Sequence, residues 1–342
     1  MTDTRTSSPD APGAAPWREI HHGGSPEAEE AHFRDLADIV VGVQRANKEK
    51  SGSQVSRRTF HAKIVVGVDN AELRFRTDLP ADLHAGHFVA GTQLPVIVRL
   101  SNASGTIRSD VVPDLRGAAL KISHPGGSEH DLLMTSFPVS HARDATQFVE
   151  IARIGAGPEH LVMSRMLEAF GPSETARIVG NLRQANRPSP SLALESYWSR
   201  GAILWGDAGP VRFRISPLAG PEPTSAPPQN SNDGLRTEFA ARLSGSSVRF
   251  ALHIQKYVNE RLTPIEDGSV EWMEDDSPWL GVATLTIPVQ DILGERGLAN
   301  CDRVDSLAFN PWHAPPEFRP LGNLNRARRT VYSASAREWQ AR

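Results

Sequence analysis

The chain has 342 residues, with 37 Lys and Arg against 40 Asp and Glu and a single cysteine. A formal charge of −3 gives no long-range field for phosphate backbones, and no basic stripe interleaved with aromatics occurs, so nucleic acid is not expected as a partner. Cys301 alone excludes an internal disulfide and any cysteine-based zinc or iron–sulfur site, and it fits a reducing compartment.

The apolar content of 39%, raised by 27 glycines, is enough to bury a sizeable core. The first residues carry no secretory signal and no run of about 18 apolar residues occurs, so the sequence predicts no membrane span and a cytoplasmic location. Residues 1–16, rich in Ser, Thr, Pro and Ala, read as a disordered tail. Residues 17–342 read as one domain with an exposed loop at 221–235, where Pro, Ser and Asn dominate.

From Ser25-Pro26 a helix is predicted to about Lys48, since a capping serine precedes proline and Phe33, Leu36, Val40 and Val43 share a stripe. Short Val-, Ile- and Leu-rich segments follow at 61–68, 71–77, 94–101 and 117–123, with Asp69-Asn70 read as a turn between the first two. Asp144 can cap a helix carrying Phe148, Val149 and Ile151, and 159–170 and 173–185 read as two more. Strands return at 211–216, 248–258 and 280–287, and an Ala- and Arg-rich helix closes the chain at Asn325–Trp339. The pattern predicts an α+β fold, an antiparallel barrel with surrounding helices.

The common motif library is silent: there is no Gly-x-x-x-x-Gly-Lys, His-Glu-x-x-His or Gly-x-Ser-x-Gly. Four local features remain. Arg328 and Tyr332 are i and i+4 on the last helix, and a guanidinium beside a phenol favours the phenolate that binds iron; a surface pair gives the same spacing. Arg57-Arg58-Thr59-Phe60-His61-Ala62-Lys63 enters a strand, where His61 is either a proton shuttle or a structural imidazole. In Val98-Arg99-Leu100-Ser101, alternation puts Arg99 and Ser101 on one face, which requires a partner for the charge unless the strand lies at an edge. Asp114-Leu115-Arg116-Gly117 precedes Thr135-Ser136-Phe137-Pro138 and, taken alone, reads as a turn with an ion pair.

Taken in order, these segments resemble the catalase superfamily, in particular its short members. His61-Ala62-Lys63 is similar to the distal histidine motif, Val98–Ser101 to Val-Arg-Phe-Ser, Asp114–Gly117 to Asp-Pro-Arg-Gly, and Arg328-x-x-x-Tyr332 to the proximal ligand motif, with Arg337 beyond it. The stretches Val282–Gln290 and Leu307–His313 are typical of the short branch.

The resemblance implies ferric haem b with Tyr332 as axial and metal ligand, Arg328 keeping it ionised, and His61 moving the peroxide proton with Ser101 orienting its ring. It also implies Arg58, Arg99 and Arg337 on the haem propionates. Where the family has Asn ahead of a proline, this chain has Thr135-Ser136; a hydroxyl of either is expected to hold a peroxide oxygen. His141 reads as a second proton carrier or a surface residue. The expected function is a haem peroxidase acting on hydrogen peroxide or organic hydroperoxides, with weak catalase activity at most. The alternatives are haem-dependent rearrangement or dehydration of a hydroperoxide or small metabolite, as in related allene oxide synthases, and a non-catalytic haem module. A small-molecule peroxide or organic substrate and a homodimer are the expected partners.

Overall fold

The computed structural model describes residues 16–52, 58–127, 129–220 and 231–340. The predicted tail up to residue 15, Arg57, and most of the 221–235 loop lie outside the described residues.

Strands β1 (Ile64–Phe75), β2 (Gln93–Asn102), β3 (Arg116–Ser123) and β4 (Glu129–Thr135) form an antiparallel run, each paired with its chain neighbour. After β5 (Tyr197–Ser199) and β6 (Ile203–Leu204), strands β7 (Pro210–Pro217), β8 (Val248–Lys256) and β9 (Leu280–Ile287) form a second run. Pairing of β1 with β9 joins the runs, and pairing of β5 with both β4 and β7 closes them into an eight-stranded antiparallel barrel, with β6 added beside β7. Closure leaves no long free edge among these strands.

Alternation decides what faces inward. On β2, Leu94, Val96, Val98 and Leu100 enter the barrel core together with Leu120, Ile215, Leu252, Ile254 and Leu285. The intervening Ile97, Arg99 and Ser101 point outward to the helices. The register then aligns Ser101 with Gly117 and Gly117 with Thr135, so three small or polar residues stand abreast on one outward patch. Because β2 has partners on both sides, Arg99 does not sit on an edge strand.

Six helices accompany the barrel: α1 (Pro26–Ser51), α2 (Ala145–Ala156), α3 (Val162–Ala185), α4 (Gly234–Gly245), α5 (Glu295–Ser306) and α6 (Asn323–Gln340). Ser25 caps α1 by accepting from Ala28 N, and Asp144 caps α2 by accepting from Gln147 N at 2.8 Å. Phe33, Leu36 and Val40 of α1 pack with Ala145 and Val149 of α2 and Ala327 of α6 in a satellite core. Arg326 fixes α6 further: it is 8% exposed and donates to Glu29 of α1 at 2.7 Å and to Glu266 at 2.9 Å. A buried guanidinium is tolerable because carboxylates surround it.

Some boundaries differ from the sequence reading. The segments 61–68 and 71–77 are one strand, because Asp69-Asn70 forms an irregularity between Val68 and Ala71 rather than a turn. The predicted helices 159–170 and 173–185 are a 3-10 turn followed by a single helix kinked at Gly171, whose φ is +72° ahead of Pro172. Helices α4 and α5 and strands β4, β5 and β6 carried too little periodicity to be read.

Candidate active site

A cavity of about 420 Å³ opens where the outward patch of β2–β4 meets α1, α2, α3 and α6. Ser101, Gly117, Leu133 and Thr135 line it from the barrel; Val40, Phe148, Val149, Ala327 and Val331 give it a mostly apolar wall. His61, Arg58, Arg99, Arg328 and Tyr332 all line it, so seven of the nine residues singled out by sequence meet in one space. The other two do not. Ser136 is buried and its Oγ accepts the Arg116 N–H at 2.9 Å, and Arg337 is exposed near the end of α6.

His61 does not begin a strand, since β1 starts three residues later. It lies in the preceding turn with φ +58°, the only positive φ of a non-glycine residue described. That conformation costs of order 1–3 kcal/mol and persists only where surroundings impose it. Here His61 N donates to Ala103 O at 2.9 Å and its own carbonyl accepts from Arg99 Nη2 at 2.8 Å. The ring turns toward β2, with Nδ1 3.0 Å from Ser101 Oγ. Gly117 makes room: a Cβ there would lie 2.5 Å from His61 Cε1 and 2.8 Å from Ser101 Oγ. Burial pushes the imidazole down to about 3, helped by repulsion from Arg99, Arg200, Arg328 and Arg58. The ring is therefore neutral across physiological pH.

Arg99 is 4% exposed and shares Asp305 with Arg58: Arg99 Nη2 and Arg58 Nη1 reach Asp305 Oδ1 at 2.9 and 3.0 Å. Arg58 also donates to the carbonyls of Asp305 and Leu307, and its guanidinium stacks 4.4 Å from the Trp339 ring. One carboxylate thus holds two guanidiniums side by side at the α5 end of the cavity.

On α6, Asn325, Arg328 and Tyr332 fall on one face. Asn325 Nδ2 donates to Ala202 O at 2.8 Å and its Oδ1 accepts from Arg328 Nη1 at 3.0 Å. Arg328 is held over the Tyr332 ring, 5.6 Å from its centroid. The guanidinium therefore faces the ring rather than capping the oxygen, the contact expected from sequence.

Two residues that sequence reasoning missed or left open belong here. Arg200, just past β5, is buried and lines the cavity; Nη1 donates to Thr135 Oγ1 at 3.2 Å. Burial brings it down to about 9, aided by Arg328 and Arg212. No local motif marks it. His141 lines the same cavity and stacks on Phe148 at 5.0 Å, so it is not a surface residue. Phe148 in turn meets Phe60 edge-on at 5.5 Å.

The arrangement joins a neutral imidazole, a phenol and four guanidiniums in an apolar space, chemistry suited to a planar anion and to proton transfer beside it. No protein-family model matches the sequence, and no curated protein matches it. Solved structures do. Catalase A from Saccharomyces cerevisiae superposes with a TM-score of 0.66 at 18% identity, over 85% of this chain and 62% of that one. A fungal catalase gives 0.64 at 16% identity over 86% and 62%, and a bacterial catalase 0.63 at 16% over 98% and 68%. The chain has the catalase fold. It spans about 62% of the length of the first two catalases. Among the described residues, no helix is long and apolar enough to cross a membrane.

Proposed function

We propose that the cavity binds ferric haem b through Tyr332 and that the protein is a peroxidase-type oxidoreductase acting on hydrogen peroxide or organic hydroperoxides. The observation that carries this reading is the meeting of Tyr332, neutral His61 and the Arg58–Arg99 pair in one apolar cavity on a catalase fold. The cavity suits the group. Its wall is apolar, its volume is of ligand-site size, its phenol is a recognised haem ligand, and its two guanidiniums, sharing the single Asp305 carboxylate, leave net positive charge for a propionate.

Tyr332 would hold the iron, Arg328 would stabilise negative charge on the phenol through the face of the ring, and Arg58 and Arg99 would neutralise the propionates. When bound, the haem supplies a redox centre that gives two electrons to a peroxide and regains them singly from a donor. His61 handles the proton. Ser101 holds Nδ1, leaving Nε2 to take the proton from one peroxide oxygen and deliver it to the other, which leaves as ROH. Thr135, fixed by Arg200, offers its hydroxyl beside the substrate. The overall change balances as ROOH + 2 AH → ROH + H2O + 2 A•.

The polar groups available support peroxidase rather than rapid catalase chemistry. Of the Thr135-Ser136 stretch that stands where the resembled family has asparagine, Ser136 Oγ accepts from the Arg116 N–H and Thr135 Oγ1 from Arg200. Among the described residues one asparagine, Asn186, lines the cavity, and its Oδ1 accepts from Leu115 N at 3.2 Å. Neither Thr135 nor Ser136 supplies the amide donor that an asparagine would. Hemin-loaded protein in an oxygen electrode decides: the reading predicts donor-dependent loss of cumene hydroperoxide with little oxygen release from hydrogen peroxide. Vigorous oxygen release, or hydroperoxide loss that needs no donor, would contradict it.

A further inference from the structure

His141 is the cavity residue that the proposed chemistry leaves unused. It sits in the turn before α2, between Ser140 and Ala142, both fully buried. Its ring packs against Phe148 with centroids 5.0 Å apart and planes 31° from parallel. Phe60 meets the far side of Phe148 at 78°, so an imidazole and two phenyl rings form a continuous aromatic wall. Among the described residues neither ring nitrogen of His141 has a hydrogen-bonding partner. The ring is half-buried and lines the cavity, so its open nitrogen can meet a ligand's polar group there.

The imidazole is neutral: burial pushes it down to about 3, and the guanidiniums that face it, Arg200 and Arg177, reinforce this. A neutral imidazole has one nitrogen that can only accept. The wall therefore offers an apolar, π-rich surface for a ring and, at its end, one acceptor for a hydroxyl or amine hydrogen. His61 has a different environment, with Nδ1 committed to Ser101 and Gly117 beneath its ring. The two imidazoles are separate devices in one cavity.

We propose that His141 and Phe148 form the subsite for a protic aromatic electron donor, a phenol or an arylamine. The inference rests on the peroxidase reading and names its donor. The donor ring packs on Phe148, and its O–H or N–H donates to the accepting nitrogen of His141. As the donor surrenders one electron, its proton passes to His141. His141 would pass that proton on toward the water that the overall reaction forms. Two donors and one hydroperoxide give one alcohol, one water and two donor radicals, so protons and electrons balance.

Phenol is the probe, read out by calorimetric binding to haem-free protein and by steady-state oxidation in hemin-loaded protein. His141→Phe keeps the aromatic wall and removes the acceptor; His141→Gln supplies an amide acceptor. The expected result is about tenfold weaker phenol binding for His141→Phe, the loss of one hydrogen bond, with recovery in His141→Gln. The same pair should show kcat/KM for phenol oxidation down about 100-fold in His141→Phe and less in His141→Gln, while both take up hemin with the parent Soret band. Equal phenol affinity in parent and His141→Phe overturns the proposal. A parent that takes up no hemin removes the haem reading alone, since the titration of haem-free protein still decides whether His141 receives phenol.

Discussion

His61 combines three conditions that rarely coincide on one residue: a left-handed backbone, a hydroxyl on Nδ1, and enough burial to bring its ionisation down to about 3. Together they make a fixed, neutral base. A lowered imidazole value leaves the base form populated until pH falls toward 3, so the rate of reaction with a hydroperoxide is predicted to stay flat from pH 8 to 5. An imidazole titrating near 6.5 would lose about 30-fold over that range. A stopped-flow pH profile distinguishes them, and a fall centred near pH 6.5 would show the ring to be more solvated than described. Gly117 is the second test at this scale. Gly117→Ala would press a methyl into the imidazole and Ser101 Oγ, and the predicted result is retained hemin uptake with hydroperoxide turnover down about 100-fold. Unchanged turnover would mean that the ring's position is not what the reaction uses. The sequence marked both residues through family motifs, but the reason for the glycine is visible only once β2 and β3 are in register.

At the scale of elements, the site depends on how α6 is held. Its inward face carries Asn325, Arg328 and Tyr332, while Arg326 ties it to Glu29 and Glu266 and Ala327 packs with α1 and α2. Phe33, 2% exposed in that satellite core, is the lever on this contact. Phe33→Ala is predicted to cost about 3–5 kcal/mol, read from urea unfolding, and to accelerate hemin loss because the helix bearing Tyr332 loosens. Hemin retained at the parent rate would place the stability of α6 elsewhere. These contacts were partly legible: the α1 stripe and the Arg328–Tyr332 spacing are periodic, and the caps Ser25 and Asp144 are standard signals. Helix α5 was not legible, because only Cys301 and Val304 of its residues are buried and Gly294 offers no side-chain cap. Yet α5 brings Asp305 back to both Arg58 and Arg99, each more than 200 residues away in sequence. Arg200 was missed for a related reason: it follows a three-residue strand that carries no period, at the point where the barrel closes.

The whole molecule has a histidine balance with a consequence for acid stability. His61, His130 and His141 all ionise well below the ordinary imidazole value, each chiefly through burial. Below pH 6.5 the unfolded chain binds protons that the folded chain refuses, so stability falls with pH at about 1.4 kcal/mol per unit for each such group. For the haem-free protein this predicts a steep loss of urea stability between pH 6.5 and 4; a midpoint constant over that interval would show that these rings are not neutral in the fold. The barrel class was readable from alternating segments separated by turn residues, whereas its closure through the short β5 was not, since closure is a property of pairing rather than of any segment.

The claim that joins these scales is that Tyr332 grips ferric haem within the cavity between barrel and helices. Its most direct test is the absorption spectrum of hemin-reconstituted protein beside that of Tyr332→Phe. We predict a ferric high-spin Soret band in the parent and its loss or marked displacement in the variant. Indistinguishable spectra, or a parent that remains colourless with hemin present, would contradict it.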